Sequence, residues 1–80
     1  MPQRLKTDRK VIGTKQLRKA LKANHIAAAY LAEDADPMLL QPIQEQCAAA
    51  GVEVVHVKSM KELGSLCQIR VGAACAGLLR

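Results

Sequence analysis

The sequence predicts an α/β fold, a three-layer α/β/α sandwich with a small mixed sheet. Short β-branched or small apolar runs alternate along the chain with segments of helical periodicity, which is the pattern of helices layered on a sheet. Half of the 80 residues are hydrophobic, so a core is available to a domain near the lower size limit for folding without staples. At most four short strands fit in this length.

Each element has its own signal. Residues 1–9 predict a basic flexible arm, and residues 10–80 a single domain. Lys10–Ile12 is a short strand, and Gly13-Thr14 turns the chain into a first helix that the Thr14 hydroxyl is placed to cap. Leu17, Ala20 and Leu21 recur at helical spacing and face inward, with Lys15, Arg18, Lys19 and Lys22 on the other side. Ile26–Ala32 runs almost continuously small or apolar until Glu33-Asp34 and reads as a buried strand. Asp36-Pro37 starts a second helix with the stripe Ile43, Cys47, Ala50, and Gly51 stops it. Pro42 lies within that stretch. Either a short turn covers 37–40 and the regular helix begins near Pro42, or the helix kinks there. The β-branched run 52–57 is a strand. Ser59-Met60-Lys61-Glu62 is a capping box opening a third helix with the stripe Leu63, Leu66, Cys67. Residues 68–71 form a loop, and Gly72–Leu79 a last strand whose alanine, glycine and cysteine permit close approach of a helix.

Charge is unevenly placed. The net charge is +5, yet residues 1–25 hold eight basic residues against one acid, +7, while the remainder, with four against six, carries −2. A basic face set on a slightly acidic body points to a polyanionic partner. The basic residues also break local rules. Lysine at a helix start opposes the partial positive charge of the unpaired N–H groups there, and Lys15/Lys19 and Arg18/Lys22 are like-charged pairs four apart. Repeated violations in one place mark a functional site.

Other classes are weakly supported. Cys47, Cys67 and Cys75 form no C-x-x-C pair and read as core residues of a reducing compartment; His25 and His56 stand apart without a partner set, so no metal or cofactor is expected. No apolar run approaches a membrane span, and the first ten residues lack a signal-peptide core, so no membrane association and a cytoplasmic location are expected. A glycine-led, positive helix start suits three chemistries. A phosphate cradle is one, but Gly-Thr-Lys-Gln lacks the P-loop's earlier glycine and spacing. Catalysis is a second; Asp34 and Asp36 are present, but an acid after a strand is more often a helix cap than a general base. Nucleic acid is the third, since lysine and glutamine reach base edges as well as phosphates. With Tyr30 alone and no Phe or Trp, the chain cannot build a stacking platform for unstructured strands, which leaves a folded RNA.

The segment Ile12-Gly13-Thr14-Lys15-Gln16, followed by Lys19, resembles the glycine-led RNA-binding helix of the kink-turn-binding ribosomal proteins of the L7Ae/L30e/S12e group. "AEDADP" and "VKSMKELGSLCQIRVGAA" match the same family, so the resemblance runs from about Lys10 to Leu79 and is most similar to its short bacterial members. It implies a non-enzymatic α/β/α protein, without catalytic residues, cofactor or metal, that binds the sharply bent RNA motif called a kink-turn. The helix start, Gly13, Thr14, Lys15, Gln16 and Lys19, would enter the widened groove beside tandem sheared G·A pairs. Lys15 and Gln16 stand where many members have Asn and Glu. The loop Gln68–Val71 would cover a flipped-out base, with Ile69 and Val71 in apolar contact and Arg70 on phosphate; Leu40, Lys58 and Lys61 would lie along the same edge. The expected partner is a structured RNA containing a kink-turn, ribosomal RNA among the candidates, bound by a monomer. The rival class is a protein-interaction or structural subunit whose basic helix docks an acidic partner.

Overall fold

The computed structural model describes residues 9–80, so the expected arm, apart from Arg9, lies outside the described residues. Seven elements follow in the order β1 (Lys10–Ile12), α1 (Thr14–Lys22), β2 (Ile26–Ala32), α2 (Pro37–Ala50), β3 (Glu53–Val57), α3 (Met60–Leu66) and β4 (Cys75–Leu79). The sheet order is β1-β4-β2-β3. β2 and β3 are parallel, while β4 runs antiparallel to both of its neighbours, β1 and β2. The sheet is therefore mixed, as the alternation and length suggested. The β1–α1–β2 and β2–α2–β3 units step in the same direction across the sheet, so right-handed crossovers bring both helices to one face. There α1 and α2 pack on each other, and α3 packs on β2, β3 and β4 as the third layer.

The chain forms these elements for local reasons, some of which differ from the expectation. α1 begins at Thr14 with Gly13 as its N-cap at φ 100°, and no side chain caps it. Thr14 is already inside the first turn, so its hydroxyl does not have the capping position expected of it. α2 is one continuous helix through Pro42, without a separate turn over 37–40. Asp36 Oδ1 accepts the Met38 N–H at 2.9 Å, and Pro42 leaves only the Met38 carbonyl without its helical donor. The helix closes at Gly51, φ 68°, with the Val52 N–H on the Cys47 carbonyl at 2.9 Å. Val52 is thereby spent on the helix end, and the strand starts at Glu53 rather than at 52.

β4 also starts later than expected, at Cys75 rather than Gly72. The backbone before it is claimed by α3: the Ala73 N–H donates to the Met60 carbonyl at 3.0 Å, and Gly72 lies against Met60 closely enough that a Cβ would come within 3.2 Å of the Met60 Cβ. Once free of α3, the chain joins the centre of the sheet, where Cys75, Ala76 and Gly77 are buried. Their smallness does what the sequence suggested. A Cβ on Gly77 would stand 2.5 Å from Leu17 Cδ1 and 2.9 Å from Ile26 Cδ1, so α1 sits directly on the β4 backbone.

The core gathers Leu17, Ile26, Tyr30, Leu31, Ile43 and Leu63 with all three cysteines. The cysteines are free thiols, and burial raises the pKa of each, that of Cys75 to about 11. They remain protonated at neutral pH and serve as small apolar fillers. Because Leu17 and Ile26 are fully enclosed, neither can yield space. Gly77→Ala is expected to cost about 1–3 kcal/mol by overpacking, read as a melting temperature lowered by several degrees with the far-ultraviolet spectrum unchanged.

Candidate nucleic-acid interface

The strand directions collect the functional residues at one end of the sheet. The Gly13 N–H donates to the Cys75 carbonyl at 3.0 Å, the Ala32 N–H to the Ala74 carbonyl at 2.9 Å and the Glu33 N–H to the Val57 carbonyl at 2.7 Å. These bonds tie the C-terminal ends of β1, β2 and β3 to one another through the start of β4. All three helices begin at that end, so their positive N-terminal dipole ends share it.

The three helix starts are treated differently. α2 has the Asp36 cap, and α3 has two partners: Ser59 Oγ accepts the Glu62 N–H at 3.0 Å, and Asp34 Oδ1 accepts the Met60 N–H at 2.7 Å. Asp34 and Asp36 are thus both caps, as the sequence favoured, but Asp34 caps a helix whose first residue lies 26 positions on. α1 has no side-chain cap and no acid in its first turn, and it adds Lys15. Its first N–H groups and the lysine together form an open cationic terminus suited to an anion.

Around that terminus Lys15, Gln16 and Lys19 are exposed and Gly13 and Thr14 half-buried. Lys61 lines a cleft of about 370 Å³ together with Ile69, Arg70 and Val71, and Lys58 is exposed just before α3. The loop residues divide. Val71 is 71% exposed, whereas Ile69 is half-buried and packs against the core. Leu40, near the start of α2, is 6% exposed and packs into the core, because the periodicity of α2 aligns it with Ile43 and Cys47. The exposed apolar residues of that helix start are Met38 and Leu39 instead. Their exposure cannot be read from "PMLL" until the helical phase is known.

One residue that the sequence reading passed over shapes the loop. A Cβ on Gly64 would overlap the Val71 carbonyl, so only glycine lets the loop lie on α3. The Ile69 N–H closes the same helix on the Gly64 carbonyl at 3.0 Å, with Gln68 held at φ 64°. An isolated glycine inside a helical pattern was the available signal. Ile69→Ala is expected to lower stability by about 1–2 kcal/mol, and Val71→Ala by less than about 0.5 kcal/mol. Gly64→Ala should shift the backbone amide resonances of 69–73 more than either, as read by heteronuclear NMR of the three variants.

The sequence matches the ribosomal protein L7Ae/L30e/S12e/Gadd45 family over residues 1–79. It is 42% identical over 76 residues to an RNA-binding protein of Geobacillus sp. (strain WCH70), covering 95% of this chain and 93% of that one. The RNA-binding protein YbxF of Geobacillus stearothermophilus is 44% identical over 70 residues, 88% of this chain and 85% of its own. Among solved structures, the Giardia lamblia 15.5kD RNA binding protein superposes with a TM-score of 0.89 at 21% identity, covering 99% of this chain and 67% of that one, which shows the shared fold. No helix among the described residues is long and apolar enough to cross a membrane. By its sequence, the chain belongs to the ribosomal protein L7Ae/L30e/S12e/Gadd45 family.

Proposed function

We propose that this protein is an RNA-binding protein, not an enzyme, and that it selects RNA bent at a kink-turn. The observation that carries the reading is the bond between the Gly13 N–H and the Cys75 carbonyl, which joins the uncapped, lysine-bearing start of α1 to the first residue of β4, four residues after the exposed Val71. A cationic helix end and an exposed aliphatic loop residue on the same end of the sheet fit a nucleic acid that offers both a groove edge and an unstacked base. Family membership and the RNA-binding relatives support the same class.

In this reading Lys15 and Gln16 meet base edges beside the sheared G·A pairs, and Lys19 meets phosphate. Thr14 and the free N–H groups around it complete an anion-binding turn. Val71 covers the extruded base, with Ile69 supporting it from the core side, while Arg70, Lys61 and Lys58 neutralise the backbone along the α3 start. The protein acts as a cytoplasmic monomer, and ribosomal RNA is a candidate partner. A relative from Halobacterium salinarum that is 32% identical over 68 residues is a large ribosomal subunit protein, although this chain covers only 57% of it.

Titration of an end-labelled kink-turn duplex against a straight duplex of equal length tests the proposal. The kinked RNA should bind about a hundredfold or more tighter at the same salt. Lys15→Ala and Lys19→Ala should each weaken binding and reduce the slope of log affinity against log salt by up to about one. Equal affinity for the two duplexes would overturn kink-turn selection. Unchanged slopes in both variants would remove the helix start from the interface.

A further inference from the structure

The four cations of α1 do not all belong to its N-terminal end. Lys15, Arg18, Lys19 and Lys22 follow one another at helical spacing down one side of the helix, over about 10 Å. They overlook a groove of about 780 Å³ whose opposite wall is α2, with Met38, Leu39 and Gln46. Met38 is 83% exposed and Leu39 43%. One carboxylate lines the groove, that of Asp36, and it is already engaged with the Met38 N–H. A cationic wall thus faces a mainly apolar one, and among the described residues lining the groove four cations meet a single carboxylate.

Gln46 ties the two walls of the groove together. Its Nε2 donates to the Arg18 carbonyl at 3.2 Å, which holds the amide across the two helices. Its Oε1 is buried and has no hydrogen-bond partner.

We propose that the groove between α1 and α2 is a second RNA site, which takes a short unpaired strand leaving the kinked duplex. Arg18 and Lys22 hold its phosphates, and Met38 and Leu39 pack on a base. The inference rests on the RNA reading above, and the groove is continuous with that site through Lys15 and Lys19. Thioether sulfur makes favourable contacts with aromatic rings, so methionine can serve a nucleobase where the chain has no free aromatic. Such a groove holds a free strand weakly. A strand tethered to an RNA already bound is presented at about millimolar effective concentration, and a site with an intrinsic Kd of about 0.1 mM then adds about tenfold to affinity.

The test compares a blunt kink-turn duplex with the same duplex carrying six unpaired uridines on one strand or on the other. The wild-type protein should bind one extended RNA about tenfold tighter than the blunt one. In the Met38→Ser and Lys22→Gln double variant that gain should vanish, with blunt kink-turn affinity within about twofold of wild type. Met38→Ser alone, which changes no charge, should lose most of the gain, whereas a diffuse charge effect would leave it intact. The proposal is overturned if neither extension tightens binding, or if the gain survives in both variants. The same extensions on a straight duplex keep the two readings apart: absence of a preference for the kink removes kink-turn selection, and absence of the extension's gain removes the groove.

Discussion

The structure depends on the insertion of β4 between β1 and β2. This strand is the last in the chain, runs antiparallel to its neighbours, and opens with the small residues Cys75, Ala76 and Gly77, with Gly77 under Leu17. Its position holds β1, only three residues long, which has no other neighbour in the sheet among the described residues. Its first residue receives the Gly13 N–H, so the same strand fixes where α1 leaves the sheet and where the α3–β4 loop ends. Site and core are consequences of one pairing.

The electrostatics of the three helix starts show how a local cost becomes a binding property. Two of them are quenched by protein carboxylates or a hydroxyl, one through an aspartate that reaches from the β2–α2 turn to α3. The third is left positive and made more so by lysine. The like-charged pairs along α1 weaken the helix by a few tenths of a kcal/mol each, and its stability comes instead from Leu17 and Leu21, buried against the sheet. Such a helix can tolerate repulsion on its solvent side because its formation does not rely on that side.

The helix ends show a second economy. α1, α2 and α3 all close with a six-to-one bond, from His25 to Ala20, from Val52 to Cys47 and from Ile69 to Gly64. The left-handed residue is Asn24, Gly51 and Gln68 in turn. Asparagine and glycine take that conformation readily, whereas glutamine does so at a cost of about 1–2 kcal/mol. The one costly closure lies at the root of the loop that carries Ile69, Arg70 and Val71.

The sequence by itself determined the α/β class, the position of every strand and helix to within a few residues, the capping of α2 and α3, and the basic face of α1. These are properties of local periodicity, turn chemistry and charge, which short stretches encode without reference to the rest of the chain. Tertiary structure decided the remainder. It moved the start of β4 from Gly72 to Cys75 because α3 claims the intervening backbone, and it gave Gly13, not Thr14, the cap position because Cys75 holds the Gly13 N–H. It also buried Leu40 while exposing Met38 and Leu39, joined Asp34 to α3, and made Gly64 the seat of the loop. Each of these depends on contacts between segments far apart in sequence, whose geometry follows only once the sheet order is settled.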